Sequence, residues 1–291
     1  MTGPLFGVDL PTSAAPGADP VALARTAERL GFDFVSASDH PCGPQPTYET
    51  WTMLTWVAAA TTRVKVASRV LAVPLRAPAM VAKMAESLDR LSGGRLILGL
   101  GGGASDEELG AFGVGVRPPR DKVDGLQEAV RIIRGLWTQP EFSFTGRLYQ
   151  LHRAQLTPRP AHRIPIWLGT FGDRALAVTG RHADGWIPSL ALAPPGRVSG
   201  MRERVLAAAR RAGRQPDELT CVYNLQVRVD EAAAPDPQAV AGPPGAVAER
   251  LAGLLALGFT GLNFLPTGPD TAEQVHRLAT EVVPALRAAA G

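Results

Sequence analysis

Val64-Lys-Val-Ala-Ser-Arg-Val-Leu-Ala-Val73, followed by Pro78–Leu91, the turn Ser92-Gly-Gly94 and Leu96-Ile-Leu-Gly-Leu100, is the stretch that decides the fold. The first run is rich in β-branched and apolar residues and reads as a strand. The next has apolar residues at helical spacing, a Pro at its first position and glycines at its end, which are helix start and stop signals. A second short apolar run follows at once. Strand, helix and strand in that order, with strands apolar along their length, describe a parallel βαβ unit covered on both faces.

The same alternation extends outward. Toward the N-terminus, Phe6–Leu10 reads as a strand. Asp19 and Pro20 open a helix that runs to Leu30 and stops at Gly31, Phe34–Ser38 is a strand, and Trp51–Thr62 is a helix. Toward the C-terminus, strands are expected at Ile164–Leu168, Gly185–Pro188, Thr220–Val229 and Gly261–Phe264. Helices are expected at Val123–Trp137, Asp173–Arg181, Val198–Ala212, Ala246–Leu257 and Thr271–Ala290, the last capped by Asp270. Eight strands, each followed by a helix, favour closure into an α/β TIM (β/α)₈ barrel over an open doubly wound sheet. No Ser- or Gly-rich linker divides the chain, so residues 1–291 read as a single domain. Pro140–Arg163 reads as an inserted hairpin segment, and Ala232–Pro244 as a mobile loop.

Composition narrows the function classes. The net charge of +3 is mild, and the basic residues are scattered on helix faces rather than gathered into a stripe, which argues against a nucleic-acid partner. No apolar stretch approaches the length of a membrane span. The first residues lack a basic segment and an apolar core of signal length. Cys42 and Cys221 make neither a disulfide framework nor a zinc spacing and fit a reducing compartment, so a cytoplasmic location is expected. His152, His162, His182 and His276 are isolated and show no metal-ligand spacing, so no metal is expected. No G-x-S-x-G elbow supports a hydrolase.

A barrel carries its chemistry where strands end at the C-terminal face. Ser38-Asp39-His40 ends the second strand, and His40 is the candidate catalytic residue, since imidazole exchanges protons near neutral pH. Gly99-Leu-Gly-Gly-Gly103-Ala104-Ser105 ends the fourth. Its glycines allow close backbone approach to a phosphate. The run also fits a dinucleotide fingerprint, but such a fingerprint belongs after a first strand, and NAD is therefore not the expected cofactor. Gly169-Thr170-Phe171-Gly172 leads from the fifth strand into a helix and forms a second anion cradle, with the Thr170 hydroxyl added. The third strand ends at Ala72-Val73-Pro74 near Arg76, where a strand end can line a flat ring.

Several stretches together resemble the luciferase-like monooxygenase superfamily. They include Ala27-Glu-Arg-Leu-Gly-Phe-Asp-Phe34, Ser38-Asp-His40, Leu88-Asp-Arg-Leu-Ser-Gly-Gly-Arg95 and Leu98-Gly-Leu-Gly-Gly-Gly103. Phe144-Thr-Gly146, Pro165-Ile-Trp-Leu-Gly169 and Ala183-Asp-Gly-Trp186 continue the likeness, which is looser beyond Ser189. The resemblance implies a barrel, usually a homodimer, with FMN or coenzyme F420 at its mouth.

Asp39-His40 is nearer the branch that depends on coenzyme F420. There the Asp contacts the deazaflavin and the His sits beside its hydride-carrying face. The resemblance also implies a cis non-proline peptide in the third strand that props the ring. Arg69–Val70 is the expected bond, with Arg69, Val70 and Ala72 beside the cofactor. Gly101, Gly102, Gly103, Gly169 and Thr170 should hold its phosphate. One departure stands out: sugar-phosphate dehydrogenases of that branch carry Glu just after the glycine run, where this chain has Ala104. Asp106 and Glu107 are near in sequence only. A reductase acting on a small organic molecule is therefore the expected function. The alternatives are an FMN-dependent monooxygenase and a non-catalytic flavin-binding relative. Substrate contacts are expected from Pro41–Tyr48, Pro140–Arg163 and Ala232–Pro244.

Overall fold

The structure is a computed structural model that describes residues 3–233, 236 and 238–289. Eight parallel strands close on themselves: β1 (Leu5–Asp9), β2 (Phe34–Ala37), β3 (Lys65–Ser68), β4 (Leu96–Gly101), β5 (Ile166–Leu168), β6 (Gly185–Trp186), β7 (Thr220–Val229) and β8 (Gly261–Pro266). Each pairs with the next, β7 also pairs with β6 through Cys221↔Trp186, and β8 returns to β1 through Phe6↔Leu262. The TIM barrel read from the sequence is the fold.

Local chemistry sets the helices that wrap it. In α1 (Pro20–Arg29) the Asp19 carboxylate accepts from the Ala22 amide at 2.8 Å, Pro20 occupies the first turn, and Gly31 leaves with φ +83°. Then come α2 (Thr50–Ala60), α3 (Pro78–Ser92) and α4 (Pro119–Thr138). The last of these starts four residues before its expected beginning, because its first turn is charged and carries no apolar signal. They are followed by α5 (Asp173–His182), α6 (Pro195–Arg211) and α7 (Pro244–Leu255). The final helix, expected to be continuous, runs as Thr271–Arg277 and Val283–Ala289 around a π-turn at Leu278–Val282. Pro284 lies just past that turn and has no amide to donate, which a widened turn accommodates. Among the described residues no helix is long and apolar enough to cross a membrane.

The barrel interior is packed. Phe34, Ala67, Ile97, Trp167, Ile187 and Val222 form its apolar plug, with the Phe34 and Trp167 rings edge-to-face at 5.5 Å. Large residues on two strands are met by glycines on their neighbours: a Cβ at Gly7 would strike the Phe34 ring, and one at Gly185 the Trp167 ring. Burying each of these aromatics contributes about 2–3 kcal/mol.

Two further expectations change. The third strand is not one run: Lys65–Ser68 and Leu71–Ala72 are separate strands, both paired to β4, and the Arg69–Val70 peptide between them is cis. The stretch after the glycine run, to which the sequence reading assigned no element, contains a short helix, Asp106–Ala111, capped by Ser105. The segment Ala232–Pro244 is not all loop, since Ala239–Gly242 adds a parallel strand to the upper half of β7 with Ala239 and Val240 buried. Residues 234, 235 and 237 of that segment lie outside the described residues. The inserted hairpin is present, with Phe142–Thr145 antiparallel to Gln150–Ala154.

Candidate active site

The C-terminal ends of β2 to β7 surround a cavity of about 380 Å³. Asp39 and His40 reach it from β2, and Arg69, Val70 and Ala72 from the broken third strand. Gly101, Gly102 and Gly103 line it from β4, and Gly169 and Thr170 from β5. All ten residues singled out from the sequence therefore border one space. Leu126, Ile187 and Leu192 add apolar wall, and Asn224 adds an amide from β7.

Two of the polar candidates are turned into the protein rather than toward a guest. The Asp39 carboxylate has no exposed surface. It accepts from the Ala72 amide at 2.8 Å and from both terminal nitrogens of Arg76 at 2.7 and 2.9 Å. Arg76 also reaches Glu49 at 2.5 Å. Burial opposes the charge of Arg76, but its two carboxylate partners outweigh that and hold its pKa above the ordinary range. Burial would likewise raise Glu49, yet the Thr52 amide and Arg76 hold it low. Arg69 grips Asp9 in a two-pronged pair at 2.7 and 3.0 Å. Asp9 accepts from Ser36 Oγ, which accepts from Asn263 Nδ2, which also donates to Asn224. These pairs fix the strand ends from below. Through these bonds Asp39 also positions the segment that carries Ala72.

The glycines divide by purpose. A Cβ at Gly101 would lie 2.6 Å from a Val70 methyl and at Gly169 3.1 Å from one, whereas at Gly99 it would strike the Ser68 carbonyl oxygen at 1.8 Å. Gly101 and Gly169 thus make room for Val70, and Gly99 for the neighbouring backbone. Gly103 is different: its φ of +84° is a left-handed conformation that favours glycine. Gly102 faces the Lys122 stem at 3.3 Å. The Thr170 hydroxyl expected in the second cradle bonds Thr179 Oγ1 at 2.7 Å. The Thr179 proton goes to Ala175 O, so Thr170 is the donor and has no proton left for an anion. The Gly169 amide also bonds within the barrel, to Leu100 O at 3.1 Å. The anion-holding capacity thus centres on Gly102, Gly103 and the neighbouring Lys122, whose Nζ touches Gly103 O at 2.9 Å and Asp106 at 2.5 Å.

His40 is half-exposed at the rim, and its Nδ1 lies 2.8 Å from Glu108 Oε1. Sequence reasoning weighed Asp106 and Glu107 and noted Glu108 only as the start of the stretch Glu108 to Phe112-Gly113 that carries the resemblance, with no role in the site. The available signal was Ser105-Asp-Glu-Glu108, the S-x-x-E pattern of a helix start, which would have placed residue 108 a full turn into a helix. Lys122, Asp9 and Asn224 were also missed, and each lies where alternation alone gives no sign of chemistry. Of the four isolated histidines, His162 is half-exposed and pairs with Asp89 at 3.1 Å. Burial, then Arg181 and Arg131, lower His182.

The site suits a flat, partly charged guest. An apolar seat formed by Val70, Leu126 and Ile187 lies beside the bare backbone of Gly101, Gly102 and Gly103 and a lysine close to it. The residues present therefore fit a flavin-like ring with a phosphate arm.

Comparison with known proteins agrees. Residues 4–239 match the family described as luciferase-like monooxygenase. An F420-dependent glucose-6-phosphate dehydrogenase of Kineococcus radiotolerans is 31% identical, with 91% of this chain and 92% of that protein covered. An F420-dependent secondary alcohol dehydrogenase in complex with an F420-acetone adduct superposes with a TM-score of 0.89 at 19% identity, over 98% of this chain and all of that one. The coenzyme F420-dependent tetrahydromethanopterin reductase of Methanopyrus kandleri superposes with a TM-score of 0.82 at 20% identity, over 97% and 99% of the two chains. With the barrel and this match over most of its length, the chain belongs to the luciferase-like monooxygenase family.

Proposed function

We propose that this protein is a coenzyme F420-dependent oxidoreductase that exchanges a hydride with a small organic substrate, acting as a reductase. The observation that carries the reading is the convergence of His40, the Val70 seat and the Gly102-Gly103 turn on one cavity. When bound, the deazaflavin supplies the hydride. This chain's residues do the rest. Val70, packed between Gly101 and Gly169, forms a firm seat for a ring face. Gly102, Gly103 and Lys122 offer amides and a cation to a phosphate. His40 exchanges the proton that must join or leave substrate oxygen or carbon as hydride moves, through Nε2, the ring nitrogen not facing Glu108.

The curated relatives include dehydrogenases of a sugar phosphate, and the secondary alcohol dehydrogenase was captured with a small ketone adduct. Here the cavity cation Arg69 is paired with Asp9, which favours an uncharged carbonyl or activated alkene. A cytoplasmic homodimer is part of the same proposal. The adjacent helices α2 and α3 expose Trp56, Met80 and Leu91, and Trp56 is 71% exposed, an apolar surface suited to a second copy. A sedimentation mass of one chain would refute the dimer.

Titration of the purified protein with oxidised coenzyme F420 and with FMN tests the reading. Tight binding of the deazaflavin is expected. His40→Ala should keep that binding and lose about 10²- to 10⁴-fold in turnover. Preference for FMN with oxygen consumption would make the protein a monooxygenase, and binding of neither would end the enzyme reading.

A further inference from the structure

We infer that Glu108 is a positioning residue for His40: its carboxylate holds the imidazole Nδ1–H, so that Nε2 alone exchanges the proton that accompanies hydride transfer. The inference rests on the hydride-transfer reading above.

The pair joins residues 68 positions apart at 2.8 Å. A carboxylate only accepts, so Nδ1 must donate. The neutral ring then keeps its lone pair on Nε2, and the charged ring keeps a proton there. The same nitrogen serves both states, and the ring does not have to turn between them. Without the carboxylate a neutral imidazole divides between two tautomers and two ring orientations, and only part of the population is productive.

Glu108 is well placed to impose this. Its side chain is 19% exposed against 58% for His40, so the more fixed group holds the freer one. The short helix that carries it is anchored on three sides. Ser105 Oγ accepts from the Glu108 amide at 3.1 Å, Leu109 beside it is buried, and Lys122 ties Asp106 to Gly103 O. In the usual Ser-x-x-Glu helix start the Glu folds back onto the amide of the capping Ser. Among the described residues this carboxylate meets His40 instead. A local capping partner has been given up for a contact across the mouth.

The test uses ¹⁵N-histidine-labelled protein without cofactor, with the His40 resonances assigned by their loss in His40→Ala. Wild type should show Nδ1 protonated and Nε2 unprotonated in the neutral ring. Glu108→Ala should shift that ring toward the other tautomer. Glu108→Asp, which keeps the charge but is one methylene short, should do the same and serves if the alanine variant does not fold. Glu108→Gln, which can still accept from Nδ1, should restore the wild-type tautomer. In turnover, Glu108→Ala should lower kcat about 10- to 100-fold, less than full loss of general acid–base catalysis, with unchanged affinity for coenzyme F420. His40→Ala/Glu108→Ala should be no slower than His40→Ala alone. An unchanged tautomer in both Glu108→Ala and Glu108→Asp, or additive losses in the double variant, would overturn the inference. Wild type that fails to bind coenzyme F420 would sink the underlying reading instead, whatever the tautomer.

Discussion

Two sets of charged side chains, one at each rim of the barrel, do different work. At the N-terminal rim, where Asp184 also pairs with Arg134 and Arg163, Glu28 and Arg95 end on backbone. Glu28 accepts the amides of Thr62, Arg63 and Val64 at 2.9, 2.6 and 2.9 Å. Arg95 donates to the carbonyls of Ala58, Thr61, Val64 and Ser92. At the C-terminal rim, charged side chains end on one another: Asp39 on Arg76, Asp9 on Arg69, Glu108 on His40. The first arrangement pins loops. The second fixes functional groups relative to each other across different strands, as preorganised sites require. Volume does not separate them, since the N-terminal rim encloses a hollow of about 830 Å³ and the mouth only about 380 Å³. What marks the mouth is convergence of chemistry from many loops, and the barrel's polarity agrees.

This contrast can be broken by mutation. Arg95→Ala leaves several carbonyls without a donor in a region where Arg95 is only 9% exposed. A loss of about 2–4 kcal/mol in denaturant unfolding is expected, with kcat of the folded fraction unchanged. A fall in kcat to match would show that the rims are not separable. Gly101→Ala presses a methyl onto Val70 and should cost about 1–3 kcal/mol. Unlike the change at Arg95, it should also weaken coenzyme F420 binding about tenfold, or about 1.4 kcal/mol, measured by titration. Equal stability loss with intact binding would mean the guest does not rest on Val70.

Glu28→Gln is the smallest effect. Burial would raise the Glu28 pKa, but the amides of Arg63, Val64 and Thr62 hold it down to about 2. A depressed carboxylate stabilises the fold above its unfolded pKa, and that contribution fades as pH falls through the folded value. Solvent screening reduces it to about 1 kcal/mol at neutral pH. The wild-type advantage should therefore shrink between about pH 4.5 and pH 2 in acid-unfolding curves. An advantage constant across that window would assign the loss to packing rather than charge.

The barrel was legible because its signals are local and repeated. Pro20, Pro78 and Gly93 punctuate helices wherever they stand, and apolar strand runs need no partner to be recognised. The mouth was legible only as far as strand ends could be located. Position in the sequence placed Asp39, Arg69 and Thr170 at the cavity but could not say where their side chains turn, and all three face protein partners. The role of Glu108 needed a distance between residues far apart in the chain. The glycine run was read as one phosphate loop, yet Gly99 answers to the Ser68 carbonyl and Gly101 to Val70. Ala239–Gly242 escaped because four residues between Pro and Gly clusters carry too short a pattern to oppose a loop reading.

Val70, Gly101 and Gly169 bind three distant positions into a single steric unit. A bulkier residue at 70 meets both glycines at once, whereas a smaller one loosens contact with each. No member can drift alone, so evolutionary exchange at this seat has to proceed in concert, with each enlargement matched by a reduction opposite. Any effort to recut the barrel for a different ring begins with those three codons together.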